Sequence, residues 1–319
     1  MLVLSAAEVE RLFHLDLAIE SQRAAFTALG RGEAVLPPRL LVPGTEDSVA
    51  FCYAARLSAG GAAVSKFGSV NPANAARGLP TVSAVITVLD QADGHPVAVL
   101  DGTSVTTLRA SAASAVAASA LARPGARTLA VLGSGVQARG HVLALARVLP
   151  GLAEVRIFSP APSRREGLAR ALDSAAGGYP VRAAASAEEA VRDADVVACC
   201  TTSASPVLDP AWLAPGALVI SVGSFEPGRC EVPASLVPTA AAVVVDDVAA
   251  AVSDAGPIVA AVASGAISAG DLIPLGAVVT GQMPGRRSDS GVIYYNSVGL
   301  GVQDAAAALA IVSAAGSTN

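Results

Sequence analysis

The chain has almost no lysine: Lys66 is its one ammonium side chain, beside twenty arginines in 319 residues. The formal net charge is −5, and the arginines are scattered along the sequence. Because a nucleic-acid footprint needs a concentrated basic face, this composition excludes a nucleic acid as the expected partner. The single lysine therefore asks for a chemical reason that arginine cannot meet.

Patterns of metal sites and membrane spans are also lacking. The four cysteines form no C-x-x-C pair and the three histidines stand at none of the zinc spacings, so we expect no metal site and free thiols in a reducing cytosol. The long apolar runs are mostly alanine interrupted by Asp, Gly and Pro, and Glu8 and Glu10 come too early for a signal peptide. We expect a soluble cytoplasmic protein with no membrane partner.

Hydrophobic residues make up 53% of the chain and charged residues 15%, as in a compact globular protein. In the first half, residues 5–31 have a helical pattern and "VLPPRLLVPG" is an extended segment. "AAVSKFGSV" and "TVSAVITVLD" predict strands, and "QADGHP" predicts the turn of a hairpin that continues into "VAVLDG". "SVTTLRASAASAVAASALA" predicts a long helix of small residues.

From Arg127 onward, short apolar runs alternate with helical patterns. The runs are "TLAVLG", "EVRIFS", "ADVVACCTT", "GALVISVG" and "AAVVVDD". Such alternation predicts a parallel sheet covered on both faces, as in α/β proteins. The tail "SVGLGVQDAAAALAIVSAAG" predicts a final helix.

A dinucleotide-binding pattern opens this α/β half. "TLAVLGSGVQARGHVLAL" places Gly133-x-Gly135-x-x-Ala138 between a predicted strand and a predicted helix. The first glycine allows a tight turn, the second lets the backbone approach a pyrophosphate, and Ala138 permits close strand–helix packing. The phosphates would lie at the helix N-terminus, where unpaired N–H groups favour anions.

The end of the second strand indicates which dinucleotide is bound. NAD enzymes usually carry Asp or Glu there to bind the ribose 2′-hydroxyl. Here Ser159, Pro160 and Ala161 stand at this point, followed by Arg164 and Arg165. The missing acid and the arginines favour NADP(H) over NAD(H).

Five spaced motifs resemble the ornithine cyclodeaminase/μ-crystallin family. They are "KFGSVNPANAARGLPT", "LDGTSVTTLRASAAS", "LGSGVQA", "VGSFEPGRCEV" and "SDSGVIYYNSVGLGVQDAAAA". The resemblance implies an α/β fold with a Rossmann NAD(P)-binding domain, 113–293, and a second α+β domain for substrate binding and dimerisation, 1–112 plus 294–319. It also implies a homodimer and a small imino- or amino-acid substrate.

The resemblance assigns substrate-carboxylate contacts to Arg39, Lys66 and Arg109, the predicted catalytic residues. It places Thr81, predicted as a further substrate-binding residue, near the nicotinamide. Forked guanidinium hydrogen bonds suit a carboxylate, while only lysine can exchange a proton near neutral pH. Cofactor contacts are implied at Arg109, Ser134, Val136, Gln137, Ser159, Thr201, Val222 and Ser297.

One position departs from the cyclodeaminase pattern. Those enzymes read "RELD" after the "GS-x-x-P" loop, and the acid handles the substrate amine; this chain reads "GRCEVP", with Pro233 in its place. Proline holds no ammonium, so the loop favours a cyclic ketimine reductase of the Δ1-pyrroline-2-carboxylate or Δ1-piperideine-2-carboxylate type. Whether Glu231, Glu226 or Asp246 replaces the acid stays open. We expect these carboxylates, with the neighbouring Asp247, to face water.

The sequence leaves three other functions open. An ornithine or lysine cyclodeaminase would use tightly bound NAD and another acid. An open-chain amino-acid dehydrogenase would need ammonia or an amine with a 2-oxo acid. A non-catalytic ligand-binding protein is the least favoured, because it has no need of Arg39, Lys66 and Arg109 together.

Overall fold

The computed structural model describes residues 1–45, 48–174 and 178–316. The chain divides into two compact units: unit 1 comprises Met1–Arg109 and Leu300–Asn319, and unit 2 comprises Ala110–Gly299. The chain returns to unit 1 at Leu300 rather than at the predicted residue 294, because residues 293–296 form a strand of unit 2. The roles assigned to the two predicted domains stay predictions.

The strands are β1 (Leu2–Leu4), β2 (Leu40–Pro43), β3 (Val49–Ala55), β4 (Val64–Val70), β5 (Val82–Leu89), β6 (Pro96–Asp101), β7 (Thr128–Leu132), β8 (Glu154–Phe158), β9 (Val181–Ala183), β10 (Val196–Cys199), β11 (Leu218–Ser221), β12 (Ala242–Val245), β13 (Leu272–Pro274) and β14 (Ile293–Asn296). The α-helices are α1 (Ala6–Leu12), α2 (Leu15–Gly30), α3 (Gly102–Leu121), α4 (Val136–Val148), α5 (Pro162–Asp173), α6 (Ala187–Val191), α7 (Val248–Asp254), α8 (Gly256–Ala263), α9 (Leu275–Val279) and α10 (Gly301–Gly316). Short 3₁₀ helices cover Pro72–Arg77, Pro210–Trp212, Ala234–Thr239 and Ala269–Asp271.

Unit 1 is built on a six-stranded sheet with the order β1-β6-β5-β4-β3-β2. All neighbours are antiparallel except β1 and β6, and the predicted hairpin joins β5 to β6. Helix α10 packs against β3, β4 and β5 and against α2. Side chains therefore alternate along β4: Val64 and Lys66 are buried on the covered face, and Phe67 is exposed on the other.

Unit 2 contains an eight-stranded parallel sheet with the order β13-β12-β14-β11-β10-β7-β8-β9. The central strands β10 and β11 are buried along their whole length, as strands covered on both faces should be. The chain runs outward from β7 through β8 on one side and through β10 on the other. This reversal opens a crevice at the strand carboxyl ends, where α/β sheets bind ligands. The predicted α/β fold class is confirmed.

The predicted helix over residues 5–31 is two helices. The chain leaves the helical conformation at Phe13, and the His14 side chain caps α2 by accepting a hydrogen bond from the Leu17 backbone N–H at 3.3 Å. Within the described residues, no helix joins the length and the apolar character that a bilayer crossing needs.

Candidate functional site

Lys66 lies in the middle of β4 and points into unit 1, with 3% of its surface exposed. Its Nζ is 2.7 Å from Oδ2 of Asp304 and donates to Oγ1 of Thr106 at 3.3 Å. The ring centroids of Tyr53 and Phe51 are 4.9 and 5.8 Å from Nζ. The ammonium is thus removed from water but compensated by one carboxylate, one hydroxyl and two aromatic faces.

Arg109 reaches the same carboxylate from α3. Its Nε donates to Oδ1 of Asp304 at 3.2 Å, and its Nη1 donates to Oε1 of Gln303 at 3.4 Å. Asp304 and Gln303 belong to the first turn of α10 and are buried. Two of the predicted substrate-binding cations therefore meet on one buried carboxylate.

The environment of Lys66 moves its titration toward neutral pH. Burial lowers the pKa of Lys66 to about 8, the Asp304 carboxylate opposes that change, and the Arg109 charge adds to it. A lysine with this pKa can give up a proton near neutral pH, which the guanidinium of an arginine cannot do.

Arg39 joins this group through an aromatic residue. It precedes β2, is half-buried, and donates from Nη1 to the Tyr53 hydroxyl at 3.4 Å. Tyr53 is the β3 residue paired with Lys66, so its ring lies between the two predicted substrate-binding side chains. The exposed Thr81 instead uses its backbone carbonyl to accept from Asn71 N–H at 2.7 Å.

The glycine turn of unit 2 connects β7 to α4 and fits a dinucleotide. Gly133 has φ +130°, and a Cβ there would lie 2.4 Å from the Cys200 carbonyl oxygen, so only glycine fits. Gly135 caps α4 without a side-chain hydrogen bond, which leaves the first N–H groups of the helix for phosphate oxygens. Oε1 of Gln137 is buried and has no hydrogen-bond partner within the described residues, a further polar atom suited to a ligand. Val136 is exposed and Ala138 is fully buried, as close packing of the helix requires.

The two adjacent arginines after β8 do different things. Arg165 donates from Nη1 to the Ser159 carbonyl at 2.8 Å and lies 5.3 Å from the Phe158 ring centroid. Arg164 is exposed, and its guanidinium makes no hydrogen bond or ion pair with any residue the structure describes. The Ser159 hydroxyl donates to Ser134 Oγ at 2.9 Å, which ties the end of β8 to the glycine turn. Two further predicted cofactor residues follow Ser159: Pro160 is exposed and Ala161 is half-buried.

Glu231 holds the ends of β10 and β11 together. Its Oε1 accepts from the N–H and hydroxyl of Thr201 at 2.5 and 2.9 Å, and its Oε2 accepts from Ser221 Oγ and Gly223 N–H, both at 2.7 Å. Burial raises the pKa of Glu231 while these donors lower it. The predicted cofactor residue Val222, between Ser221 and Gly223, donates its N–H to the Cys199 carbonyl at 3.1 Å.

Asp246, which follows β12, likewise holds a neighbouring loop in place through hydrogen bonds. It accepts from the hydroxyl of Tyr295, from Ser297 Oγ at 2.8 Å and from Gly299 N–H at 2.9 Å. Asp246 therefore fixes the segment after β14 that contains Ser297, one of the predicted cofactor residues. The expectation that Glu231 and Asp246 face water is wrong: both are buried, because their oxygens satisfy backbone and hydroxyl donors.

The carboxylates considered as substitutes for the acid missing at Pro233 all have other partners. Pro233 is the N-cap residue of the 3₁₀ helix Ala234–Thr239. Glu226 pairs with Arg229, Nε to Oε2, at 3.0 Å. Asp247 caps α7 by accepting from Ala250 N–H at 2.9 Å. Nothing in these contacts gives the loop a carboxylate that is free to bind a substrate amine.

Two residues of the unit 1 site, Asp304 and Tyr53, were not predicted from the sequence. Asp304 is the one charged residue in the sixteen-residue α10, and a lone acid among alanines on a buried helix was a usable signal. Tyr53 stands two residues after Phe51 in a strand that was not predicted, so nothing in the sequence placed it beside Lys66.

One group of potential metal ligands lies in the β5–β6 turn, formed by Asp90, Asp93 and His95. These residues already organise the turn: Oδ1 of Asp90 accepts from Ala92 N–H at 2.7 Å, and Oδ1 of Asp93 accepts from His95 N–H at 3.1 Å. These hydrogen bonds account for the position of the three side chains without a metal ion. The expected absence of a metal site stays a prediction.

Comparison with known proteins identifies the family of this chain. The family model described as ornithine cyclodeaminase/mu-crystallin family matches residues 1–319. A Δ1-pyrroline-2-carboxylate reductase of Bacillus cereus is 30% identical over 306 residues, which cover 95% of this chain and 93% of the relative.

Two solved structures extend the comparison. The Δ1-pyrroline-2-carboxylate reductase of Thermococcus litoralis, in complex with NADH and L-proline, superposes with a TM-score of 0.94 at 29% identity, covering 100% of this chain and 98% of that one. An archaeal alanine dehydrogenase dimer with bound NAD has a TM-score of 0.93 at 31% identity, with coverage of 100% and 97%.

Proposed function

The chain belongs to the ornithine cyclodeaminase/mu-crystallin family, and on that premise we propose that it is an NAD(P)H-dependent reductase of a cyclic 2-imino acid. The substrate would be Δ1-pyrroline-2-carboxylate or Δ1-piperideine-2-carboxylate, and the product proline or pipecolate. The observation that carries the proposal is the buried cluster of Lys66, Arg109 and Asp304, joined to Arg39 through Tyr53. The relatives of Bacillus cereus and Thermococcus litoralis that carry this activity support it.

The cluster suits a small carboxylate. Three cations and one anion give it a net positive charge, so an incoming carboxylate balances the charge of a buried site. The guanidinium groups of Arg39 and Arg109 can donate to the two oxygens, Arg109 through N–H groups other than those that contact Asp304 and Gln303. Lys66 is ion-paired with Asp304 and donates one hydrogen bond to Thr106, and an ammonium has three N–H donors in all, so a donor is available for the substrate.

Lys66 is the proposed proton donor. Reduction of a cyclic imine adds a hydride at carbon and a proton at nitrogen, and a bound nicotinamide dinucleotide supplies the hydride. With its pKa lowered to about 8, Lys66 can release the proton to the imine nitrogen and recover one from solvent. Arginine at this position would keep the charge and lose the proton transfer.

The loop after β11 favours reduction over cyclodeamination. A cyclodeaminase must also hold and release the amine of an open-chain substrate, and Pro233 has no charge to do so. Glu231 already accepts four hydrogen bonds, and Glu226 is paired with Arg229. Reduction of a preformed imine needs none of these carboxylates.

The dinucleotide would be held in unit 2 by the glycine turn and the loops that Glu231 and Asp246 fix. We propose NADP(H) as the preferred form, since no acid stands at the end of β8 to bind a 2′-hydroxyl. Arg164, exposed and without a partner among the described residues, has the charge and geometry to bind a 2′-phosphate. The relatives with NADH or NAD bound support a nicotinamide dinucleotide as the cofactor, and the preference for NADP(H) rests on the residues after β8 alone.

We also propose a homodimer formed through the uncovered face of the unit 1 sheet. Leu40, Val42, Phe67 and Val85 point to that face and are between 49% and 61% exposed. Monomers rarely leave such an apolar surface open, and the archaeal relative is a dimer. Sedimentation equilibrium should give the mass of two chains; the mass of one would contradict the proposal.

The activity test is NADPH and NADH oxidation against a substrate panel. The panel contains Δ1-pyrroline-2-carboxylate, Δ1-piperideine-2-carboxylate, and pyruvate with and without ammonia or methylamine. We expect the fastest turnover with a cyclic imino acid and no need for ammonia. Turnover only of pyruvate with ammonia would instead indicate an alanine dehydrogenase, and ammonia release from ornithine without added reductant a cyclodeaminase.

A further inference from the structure

One buried carboxylate, Asp304, lies between Lys66 and Arg109, two of the three cations of the unit 1 site. Asp304 is 1% exposed, its Oδ2 is 2.7 Å from Lys66 Nζ, and its Oδ1 is 3.2 Å from Arg109 Nε. Each oxygen serves a different cation, so the carboxylate sets the position of one relative to the other.

Helix α10 presents this carboxylate rigidly. The helix packs against β3 and β4, which carry Tyr53 and Lys66. Next to Asp304, Gln303 accepts from Arg109 at 3.4 Å and from Leu300 N–H at 2.8 Å. The start of α10 thus holds both side chains that grip the site's cations.

The groups facing Lys66 leave Asp304 as its counter-charge. From β3 come the rings of Phe51 and Tyr53, from α3 come Thr106 and Arg109, and from α10 comes Asp304. No other carboxylate contacts Lys66 in the part of the chain that the structure describes. Without Asp304, the buried Lys66 ammonium would face the positive charge of Arg109 and neutral groups, with no negative charge to compensate it.

We propose that Asp304 is a positioning residue that fixes Lys66 and Arg109 in the substrate site and keeps Lys66 in its ammonium form before each turnover. The proposal rests on the proposed reductase function. Asp304 itself transfers no proton in this proposal, because each of its oxygens is paired with a cation. Lys66 gives its proton to the imine nitrogen, becomes a neutral amine beside the Asp304 carboxylate, and is reprotonated by solvent.

The single lysine allows a direct test. Biosynthetic labelling with ¹³C,¹⁵N-lysine gives one side-chain signal, that of Lys66, whose pH titration reports its charge without any turnover. In Asp304→Asn we expect the pKa of Lys66 to fall by about 1–3, because the opposing carboxylate charge is lost. The alkaline limb of kcat/KM should move with it, which at pH 8 lowers activity about 5- to 500-fold.

Asp304→Glu separates charge from position. The charge is kept but the oxygens move by one methylene, so the pKa of Lys66 should change by less than about 0.5 while kcat falls about tenfold or more. Asp195→Asn is the matched control. It removes a buried carboxylate that accepts from Arg127 and Thr128 N–H at 2.6 and 2.9 Å in unit 2, and should lower thermal stability without moving the Lys66 titration.

Two results would overturn the role of Asp304: an unchanged Lys66 titration in Asp304→Asn, or full activity in Asp304→Glu. The titration decides this even where Asp304→Asn is inactive, and Asp304→Glu decides it where Asp304→Asn does not fold. If the wild-type enzyme reduces no imino acid but shows the Asp304-dependent Lys66 titration, the proposed function is wrong and the effect of Asp304 on Lys66 still holds.

Discussion

Two buried carboxylates, Asp304 in unit 1 and Glu231 in unit 2, have partners of different charge. In unit 1, Asp304 forms ion pairs with the cations Lys66 and Arg109. In unit 2, the partners of Glu231 among the described residues are all neutral, namely the N–H and hydroxyl donors of Thr201, Ser221 and Gly223. The same chemical group therefore controls protonation and charge in one unit and loop geometry in the other.

The difference has consequences for the cost of substitution. Removing one partner of a buried ion pair leaves an uncompensated charge and costs about 3–5 kcal/mol, whereas one unsatisfied neutral donor costs about 1–3 kcal/mol. Changes at the Lys66 cluster should therefore alter chemistry and its pH dependence. Changes at Glu231 should alter ligand affinity and stability.

Lys66→Arg should give the largest loss. It preserves a positive charge and the ability to bind a carboxylate, but arginine cannot donate the proton, so kcat should fall about 10²–10⁴-fold with a smaller change in KM. Steady-state kinetics with the preferred imino acid measures both constants. Arg123→Lys, at a cation of unit 2 paired with Asp195, is the control and should keep wild-type kinetics. Full activity in Lys66→Arg would reduce Lys66 to a simple positive charge.

The pH dependence of the wild type tests the same residue without a substitution. The pKa of Lys66 is lowered to about 8, so its ammonium is populated below that pH and lost above it. We expect kcat/KM to be level below pH 8 and to fall about tenfold per pH unit above it. Activity that instead increases through pH 8 would show that the neutral amine is the active form. The residual activity of Lys66→Arg should lack this decline.

Glu231→Gln should have an intermediate effect, confined to unit 2. The amide keeps one acceptor but turns an NH₂ group toward two donors, so Gly223 N–H loses its partner at a cost of about 1–3 kcal/mol. If the loops shift, dinucleotide affinity should fall about tenfold, while the Lys66 titration stays unchanged. Calorimetric titration and thermal unfolding measure the two effects. Glu226→Gln, in the same loop but paired with Arg229, should change neither.

The sequence predicted the chemistry of single residues better than their partners. Lys66 was conspicuous as the one lysine. The Gly133–Ala138 turn follows a local sequence pattern and lies between a strand and a helix, β7 and α4. The Lys66–Asp304 pair joins residues far apart in the chain, and only the packing of α10 on β4 brings them together. Strand β14 was missed for a related reason: it inserts between β11 and β12, out of chain order.

Local pattern also failed to separate neighbours. Arg164 and Arg165 look equivalent in "SRRE", yet they lie on different sides of the first turn of α5. Arg165 contacts Phe158 and Ser159, whereas Arg164 is exposed. Glu231 and Pro233 stand two residues apart, and the loop buries the acid as a structural acceptor. Side-chain direction within a loop or first turn is set by tertiary contacts, which spacing does not encode.

Arg164→Glu should give the smallest and most selective effect, because the charge it removes is exposed. We expect KM for NADPH to rise about tenfold and KM for NADH to change less than about twofold, since only NADPH carries the 2′-phosphate. Arg170→Glu is the matched control: Arg170 is a 75% exposed arginine further along α5, and its loss should affect neither cofactor. Equal changes for both dinucleotides would remove Arg164 from phosphate recognition. Because Arg164 makes no contact with Lys66, Arg109 or Asp304 among the described residues, kcat/KM for the imino acid and its decline above pH 8 should remain those of the wild type. A moved limb would mean that charge in the two units is not controlled independently.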